Sequence, residues 1–285
     1  MKNNNSSLSR RAVIKSSVFG ILAASIPSIS YANYLVDYKE PNKNLPSRYP
    51  SIDDEIVNEV VGKSHFDFER VKTLVDKRPE LARATWDWSF GDWESAIGAA
   101  SHVGRRDIVN YLISKGARPT MFTFAMLGNF NVVKAMIESN EGIQKTQGPH
   151  GISLLQHAKA GLRMKDKMSN EAILNSEKLI DYLTSLGNAD GEVYEKFNED
   201  EMPKYLGDYK YGDGEKDGFS VKINMRKMLA LGKLGEFGGG LYPIGDNKFL
   251  YNGISSVYIT FQVKNDVVES LTIHEPELTL IAKKV

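Results

Sequence analysis

The sequence predicts an α+β protein in which an α-solenoid of helix pairs is followed by a small antiparallel β-sheet or barrel domain. Up to residue 190, apolar residues recur at helical spacing, and glycine ends several of the apolar stripes. Beyond residue 190, apolar and polar residues alternate, as they do along strands with one buried face. We therefore divide the chain into residues 1–32, 33–50, 51–190 and 191–285.

The composition limits the possible functions. The chain has 285 residues, of which 41% are hydrophobic, and this is enough to build a substantial core. It has 36 basic and 36 acidic residues, but Lys2, Arg10, Arg11 and Lys15 lie in the first segment, so the remainder is slightly acidic. We therefore expect no nucleic-acid binding. The absence of cysteine excludes disulfides, thiolate metal sites and a cysteine nucleophile.

Residues 1–32 carry a pair of arginines, Arg10 and Arg11, ahead of a short apolar run that breaks at Pro27. A small-x-small motif then ends at Ala32. This segment resembles a twin-arginine signal peptide. The resemblance implies cleavage after Ala32, a periplasmic or secreted protein exported in the folded state, and no membrane span once the signal is removed. An uncleaved anchor or a disordered tail is the alternative. Residues 33–50 are polar and contain three prolines, which predicts an extended linker or wrapping arm.

Residues 95–119 predict two short helices packed as a hairpin. Alanines at positions 96, 99 and 100 allow close helix packing, Gly104 ends the first helix, and Gly116 ends the second. The order of residues resembles an ankyrin repeat and is carried by Ala100, Ser101, Gly104, Ile108, Val109, Leu112, Ile113, Gly116 and Ala117. Similar units begin near Ser51, just after Gly116 and at Gly151, which gives about four degenerate repeats, the last with an insertion over residues 163–170. A plain helical bundle is the alternative.

All three tryptophans of the chain lie in one short segment that occupies the place of the hairpin finger before the repeat at Ser95. Large aromatic side chains on a finger are good anchors for a partner protein. The candidate anchors, with acids that would select a basic or polar rim on the partner, are Trp86, Asp87, Trp88, Phe90, Asp92 and Trp93. The alternative is that these side chains cover the first repeat or meet the β domain.

The C-terminal part predicts eight strands, over residues 205–211, 219–225, 228–231, 241–243, 248–251, 257–264, 267–274 and 278–282. Asn265 and Asp266 predict a tight hairpin turn. The motif Tyr205-Leu206-Gly207-Asp208-Tyr209 resembles the start of the small β domain appended to some serine β-lactamase-like peptidases. This resemblance implies a lipocalin-like domain with a possible apolar ligand site. It does not imply a peptidase, because the S-x-x-K and G-x-S-x-G motifs are missing.

The five histidines, at positions 65, 102, 150, 157 and 274, show no metal-ligand spacing. We therefore expect no metal, no cofactor and no catalytic residue. The leading hypothesis is a non-enzymatic ankyrin-repeat module that binds another protein in the periplasm. The competing hypothesis is a small-ligand binder or hydrolase-associated protein with a pocket in the β domain. Its candidate lining residues are Tyr205, Tyr209, Tyr211, Tyr242, Tyr251 and Tyr258.

Overall fold

Helices occupy the first part of the described chain and strands the second. The computed structural model describes residues 48–285, and Ser51–Val285 form one compact unit. The expected signal residues Arg10, Arg11 and Ala32 lie outside the described residues. The α-helices are α1 (Asp54–Lys63), α2 (Phe68–Lys77), α3 (Ala96–His102), α4 (Arg106–Ser114), α5 (Met121–Leu127), α6 (Phe130–Ser139), α7 (Leu154–Ala160) and α8 (Asn170–Ser185).

The helices form pairs, as the sequence predicts. Each odd-numbered helix contacts the helix that follows it, and the odd-numbered helices contact one another in series from α1 to α7. Short polar residues start most of them: Ser95 Oγ accepts from the Gly98 N–H ahead of α3, and the Asp53 carboxylate accepts from the Glu55 N–H ahead of α1. Gly104 and Gly116 end helices with positive φ, +76° and +90°. Local signals therefore place these helices.

Arg106 of α4 is hydrogen bonded to two neighbouring helix pairs, α5–α6 and α7–α8. Its guanidinium donates to the backbone oxygens of Met126, Leu127 and Gly161, and to the Ser176 hydroxyl. These carbonyls belong to or follow the last turns of α5 and α7, where helix oxygens lack partners within the helix. One half-buried side chain thus joins three segments that are distant in sequence.

The second part of the chain is a closed antiparallel barrel, whose strands are numbered from β3 because β1 (Thr85–Asp87) and β2 (Trp93–Ser95) form a hairpin among the helices. Its strands are β3 (Gly207–Lys210), β4 (Gly218–Ile223), β5 (Leu229–Lys233), β6 (Gly239–Gly245), β7 (Lys248–Tyr251), β8 (Tyr258–Lys264), β9 (Val267–His274) and β10 (Thr279–Lys284). Sequence neighbours pair in order, and β10 closes the barrel against β3. Asn265 and Asp266 adopt φ of +49° and +63° between β8 and β9, which confirms the predicted turn.

Aromatic and aliphatic side chains fill the barrel. Tyr205, Tyr209, Phe249 and Phe261 lie in one core cluster with aliphatic residues of the other strands. Ile223 and Met225 lie in the predicted strand 219–225 but are 45% and 102% exposed, so they do not belong to its buried face. The strand ends at Ile223, so the alternation that would bury Met225 does not continue. A helical part followed by an antiparallel barrel confirms the α+β prediction. None of the helices in residues 48–285 has the length and apolar character needed to cross a membrane.

Candidate metal centre

A short hairpin links the helical part to the barrel and contains all six candidate anchors. Strands β1 (Thr85–Asp87) and β2 (Trp93–Ser95) pair in antiparallel fashion, with Trp86 opposite Glu94. Trp86 and Trp88 are half-buried against the helical core. Phe90 packs on the barrel core, with its ring edge-on to Tyr251 at 4.8 Å. Trp93 alone among the three tryptophans projects outward, with 62% of its surface exposed.

The two acidic residues of the hairpin differ in their surroundings. Asp87 is half-buried and accepts a hydrogen bond from the Gly91 N–H. Asp92 is only 5% exposed, and its Oδ2 accepts from His150 Nδ1 at 2.6 Å and from Asn252 Nδ2 of the barrel at 2.7 Å. Its Oδ1 accepts from the His150 backbone N–H. Asp92 therefore joins the finger, the segment around His150 and the barrel.

Three histidines converge on a buried glutamate beside this junction. His65 follows α1, Glu94 lies in β2, and His102 is the last residue of α3. His150 lies in the turn before α7, where its φ is +60°, a strained value for a residue other than glycine. The exposed fraction of the side chain is 22% for His65, 24% for His150, 9% for His102 and 0% for Glu94. One ligand atom from each of the four residues lies within 4.8 Å of all the others. We call these four side chains the His₃Glu cluster.

Distances within the His₃Glu cluster suit one metal ion. Glu94 Oε1 lies 3.0 Å from His102 Nε2 and 3.4 Å from His150 Nε2. Nitrogen and oxygen ligands at about 2.0–2.1 Å from a tetrahedral ion are about 3.3 Å apart. Glu94 Oε1 and His102 Nε2 lie within ion-pair distance of each other but not in hydrogen-bonding geometry, and they are two of the four buried side-chain atoms without a hydrogen-bond partner among the described residues. Unpartnered buried polar atoms are rare, and an ion that they share would satisfy both.

Hydrogen bonds to residues outside the His₃Glu cluster orient the side chains of its members towards one another. His65 Nδ1 lies 2.9 Å from the Gly62 carbonyl oxygen, and His150 Nδ1 lies 2.6 Å from Asp92 Oδ2, so the Nε2 atom of each ring faces the cluster. Trp88 Nε1 donates to Glu94 Oε2 at 2.7 Å. A histidine that ligates a metal commonly has its second ring nitrogen held by a carboxylate or a backbone carbonyl. Trp88 and Asp92 thus hold Glu94 and His150 of the His₃Glu cluster in place.

The charges in the cluster are strongly coupled. Burial opposes ionisation of Glu94, but His102 and His150 outweigh burial and hold the pKa of Glu94 below its usual range. Burial would also lower the pKa of His150, but Asp92 and Glu94 together raise it to about 10. Burial lowers the pKa of His102, which favours the neutral imidazole that metals bind.

A cleft of about 940 Å³ opens beside the cluster, between the helical part and the barrel mouth. His65, His102 and His150 line it, whereas Glu94 lies behind them. Of the six candidate tyrosines, Tyr242 and Tyr251 line the cleft. Tyr205 and Tyr209 are buried in the barrel core, and Tyr211 and Tyr258 lie at its surface, Tyr258 against His274. The convergent polar groups therefore lie at the barrel mouth and not in its interior.

No protein-family model matches this sequence, and no curated protein matches it at a significant level. The site consequently has to be interpreted from its own geometry.

Motif spacing does not reveal the His₃Glu cluster, because its members lie on four separate segments. One signal could have located part of it. His65 and His102 both fall where the first helix of a pair ends, in consecutive pairs. Stacked helices lie about 8–10 Å apart, so equivalent positions in consecutive pairs face each other along one edge. The repeat pattern rests on the apolar positions of the pairs, so it does not show this correspondence between their polar positions.

Proposed function

We propose that this protein binds one divalent transition-metal ion through His65, Glu94, His102 and His150. The observation that carries the proposal is that the buried atoms Glu94 Oε1 and His102 Nε2 lie close together without a hydrogen-bond partner and face the two other imidazoles. Three imidazoles and one carboxylate suit Zn²⁺ and its first-row neighbours, whereas Ca²⁺ and Mg²⁺ prefer oxygen ligands throughout. This proposal departs from the sequence-based expectation that the chain uses no cofactor.

Metal titration tests the proposal directly. We expect the folded wild-type protein to bind one equivalent of Zn²⁺ in calorimetry and to retain it through dialysis. His102→Ala should lose the retained ion, because it removes a nitrogen ligand from the buried side of the cluster. The control is His274→Ala, since His274 stacks on Tyr258 in the barrel and takes no part in the cluster. Equal Zn²⁺ affinity of His102→Ala and wild type would refute the proposed centre.

Binding to another protein is a second proposed function, and exposed aromatic groups favour it. The helical part is, in this proposal, an ankyrin-type array, supported by the serial contacts of α1, α3, α5 and α7. Trp93 and Phe66 are each 62% exposed, so a partner protein can bury these large aromatic side chains. We also propose export by the twin-arginine route. Export of a folded chain suits a metal centre assembled from distant segments.

Trp93→Ala tests the second function. Because Trp93 is exposed, the substitution should change the free energy of unfolding by less than about 0.5 kcal/mol. If Trp93 anchors a partner, capture of that partner from periplasmic extract should weaken by about 2 kcal/mol. Tyr211→Ala is the control, since Tyr211 is another exposed aromatic residue, on the barrel. The anchor role would be abandoned if both variants captured the same proteins as wild type.

A further inference from the structure

The His₃Glu cluster is asymmetric about the position of the ion. Glu94 is fully buried and absent from the cleft wall, whereas the three imidazoles line the cleft. His65 and His150 keep 22% and 24% of their side-chain surface exposed. An ion held by these four groups has Glu94 on its protein side and the cleft on its other side. Within residues 48–285, no fifth histidine, cysteine or acidic side chain joins the cluster.

The His₃Glu cluster supplies four protein ligands, the number that closes a structural zinc site, but it leaves the cleft side of the ion uncovered. Zn²⁺ can accept a fifth ligand, so water or a substrate can bind on that side. The adjoining cleft, at about 940 Å³, is as large as the pockets that hold small molecules. Asp92 lines the same wall, but both of its oxygens are already hydrogen bonded to His150 or Asn252. The free side of the ion therefore faces ligand-sized space.

Charge favours an anionic oxygen ligand at that position. A divalent ion with neutral imidazoles and one carboxylate keeps a net positive charge. Arg226 adds a second cation on the same wall: its Nη1 donates to Tyr242 Oη at 2.7 Å and lies 3.4 Å from the backbone oxygen of His150. Its Nε and Nη2 have no hydrogen-bond partner among the described residues, so they are free to pair with an oxyanion.

The cleft also constrains the rest of the ligand. Acidic side chains of Asp190 and Glu192 line it as well, and these would repel a second anionic group. Asp190 accepts hydrogen bonds from Ser153 and Gln156, which holds its carboxylate in place. Because Arg163 and Lys233 line the cleft too, this repulsion applies to the part of the ligand beside Asp190 and Glu192.

We infer that the metal keeps one position open to the cleft and that this position binds the carboxylate of a small molecule, paired with Arg226. The inference rests on the proposed metal centre. It assigns the cleft a chemical class of ligand, namely a small carboxylate that carries no second anionic group beside Asp190 and Glu192.

The test uses the full folded protein loaded with Co²⁺, whose visible absorption reports its coordination. Adding acetate should change the spectrum saturably, whereas neutral acetamide, of similar size, should not. A Co²⁺ spectrum that is unchanged by acetate would show a closed, structural site and overturn the inference while leaving the metal centre intact. Failure to bind Co²⁺ and Zn²⁺ at all would overturn both.

A pair of variants tests the role of Arg226. Arg226→Gln should weaken acetate binding about tenfold, the loss expected for a charge-assisted hydrogen bond, without changing Co²⁺ affinity. Lys233→Gln is the matched control, because Lys233 also lines the cleft but is not hydrogen bonded to any cluster residue. An equal loss of acetate affinity in both variants would indicate a general charge effect and refute the pairing with Arg226.

Discussion

Glu94→Gln is expected to weaken Zn²⁺ binding at least about a hundredfold, since changes to outer-sphere partners alone cost about 10–100-fold. Glutamine has the same shape and can still accept a hydrogen bond from Trp88 Nε1 through its amide oxygen. It lacks the negative charge that faces His102 and His150 at 3.0 and 3.4 Å. The measurement is calorimetric Zn²⁺ titration of wild type and variant. Asp87→Asn serves as the control, because Asp87 lies on the same hairpin and its side chain accepts a hydrogen bond from the Gly91 N–H and not from the His₃Glu cluster.

The same variant separates the metal centre from a buried ion pair. If Glu94 only pairs with a protonated His150, Zn²⁺ and chelators should leave the melting temperature of the wild type unchanged. Breaking that pair would then cost about 3–5 kcal/mol of stability whether or not metal is present. If the metal centre exists, saturating Zn²⁺ at about 100 times its Kd stabilises the wild type by about 2.7 kcal/mol, and Glu94→Gln abolishes that gain. Melting curves with Zn²⁺ and with chelator therefore distinguish the two interpretations.

Gly104→Ala should destabilise the protein by about 3 kcal/mol or more. A residue with a side chain at φ +76° costs about 1–2 kcal/mol by itself. An added Cβ at Gly104 would also overlap the backbone carbonyl of Ala160 at the end of α7, which cannot move aside as a flexible side chain could. The measurement is the free energy of unfolding in denaturant.

Gly116 provides the matched control for that prediction. It ends the second helix of the same pair at φ +90°, and nothing lies within 4 Å of its added Cβ. Gly116→Ala should therefore cost only the conformational term, about 1 kcal/mol. Equal losses at both glycines would mean that the turn at Gly104 does not pack against α7 as described.

Secondary structure was largely predictable from the sequence because it depends on local signals. Apolar periodicity and terminal glycines located the helices, including the pair around Gly104 and Gly116. Alternation located all eight strands of the barrel, and Asn265-Asp266 located a turn. The errors lie at strand ends, as at Met225, where the alternation continues in the sequence after the hydrogen-bonded ladder has stopped. Closure of the barrel depends on pairing between β3 and β10, which no local signal encodes.

The candidate site was less predictable because long-range contacts assemble it. For the tryptophan-rich finger, the sequence left open whether its residues face outward as anchors or cover the first repeat and meet the β domain. In the structure Trp88 donates to Glu94, and Phe90 packs on the barrel. The sequence gives no signal for Glu94, since one glutamate before a helix cap is ordinary. Its full burial beside His102 is what makes Glu94 a candidate site residue, and that burial depends on the packing of the whole unit.

The contact between Asp92 and Asn252 has a consequence for how this chain can evolve. The proposed metal ligands all lie on the helical part, yet Asp92, which orients His150, is itself held by Asn252 of the barrel, 160 residues after Asp92. A lineage that lost or exchanged its barrel would inherit every ligand and still misplace one of them. Selection on the centre therefore extends to Asn252, and the two halves of the gene are expected to be inherited and to diverge together.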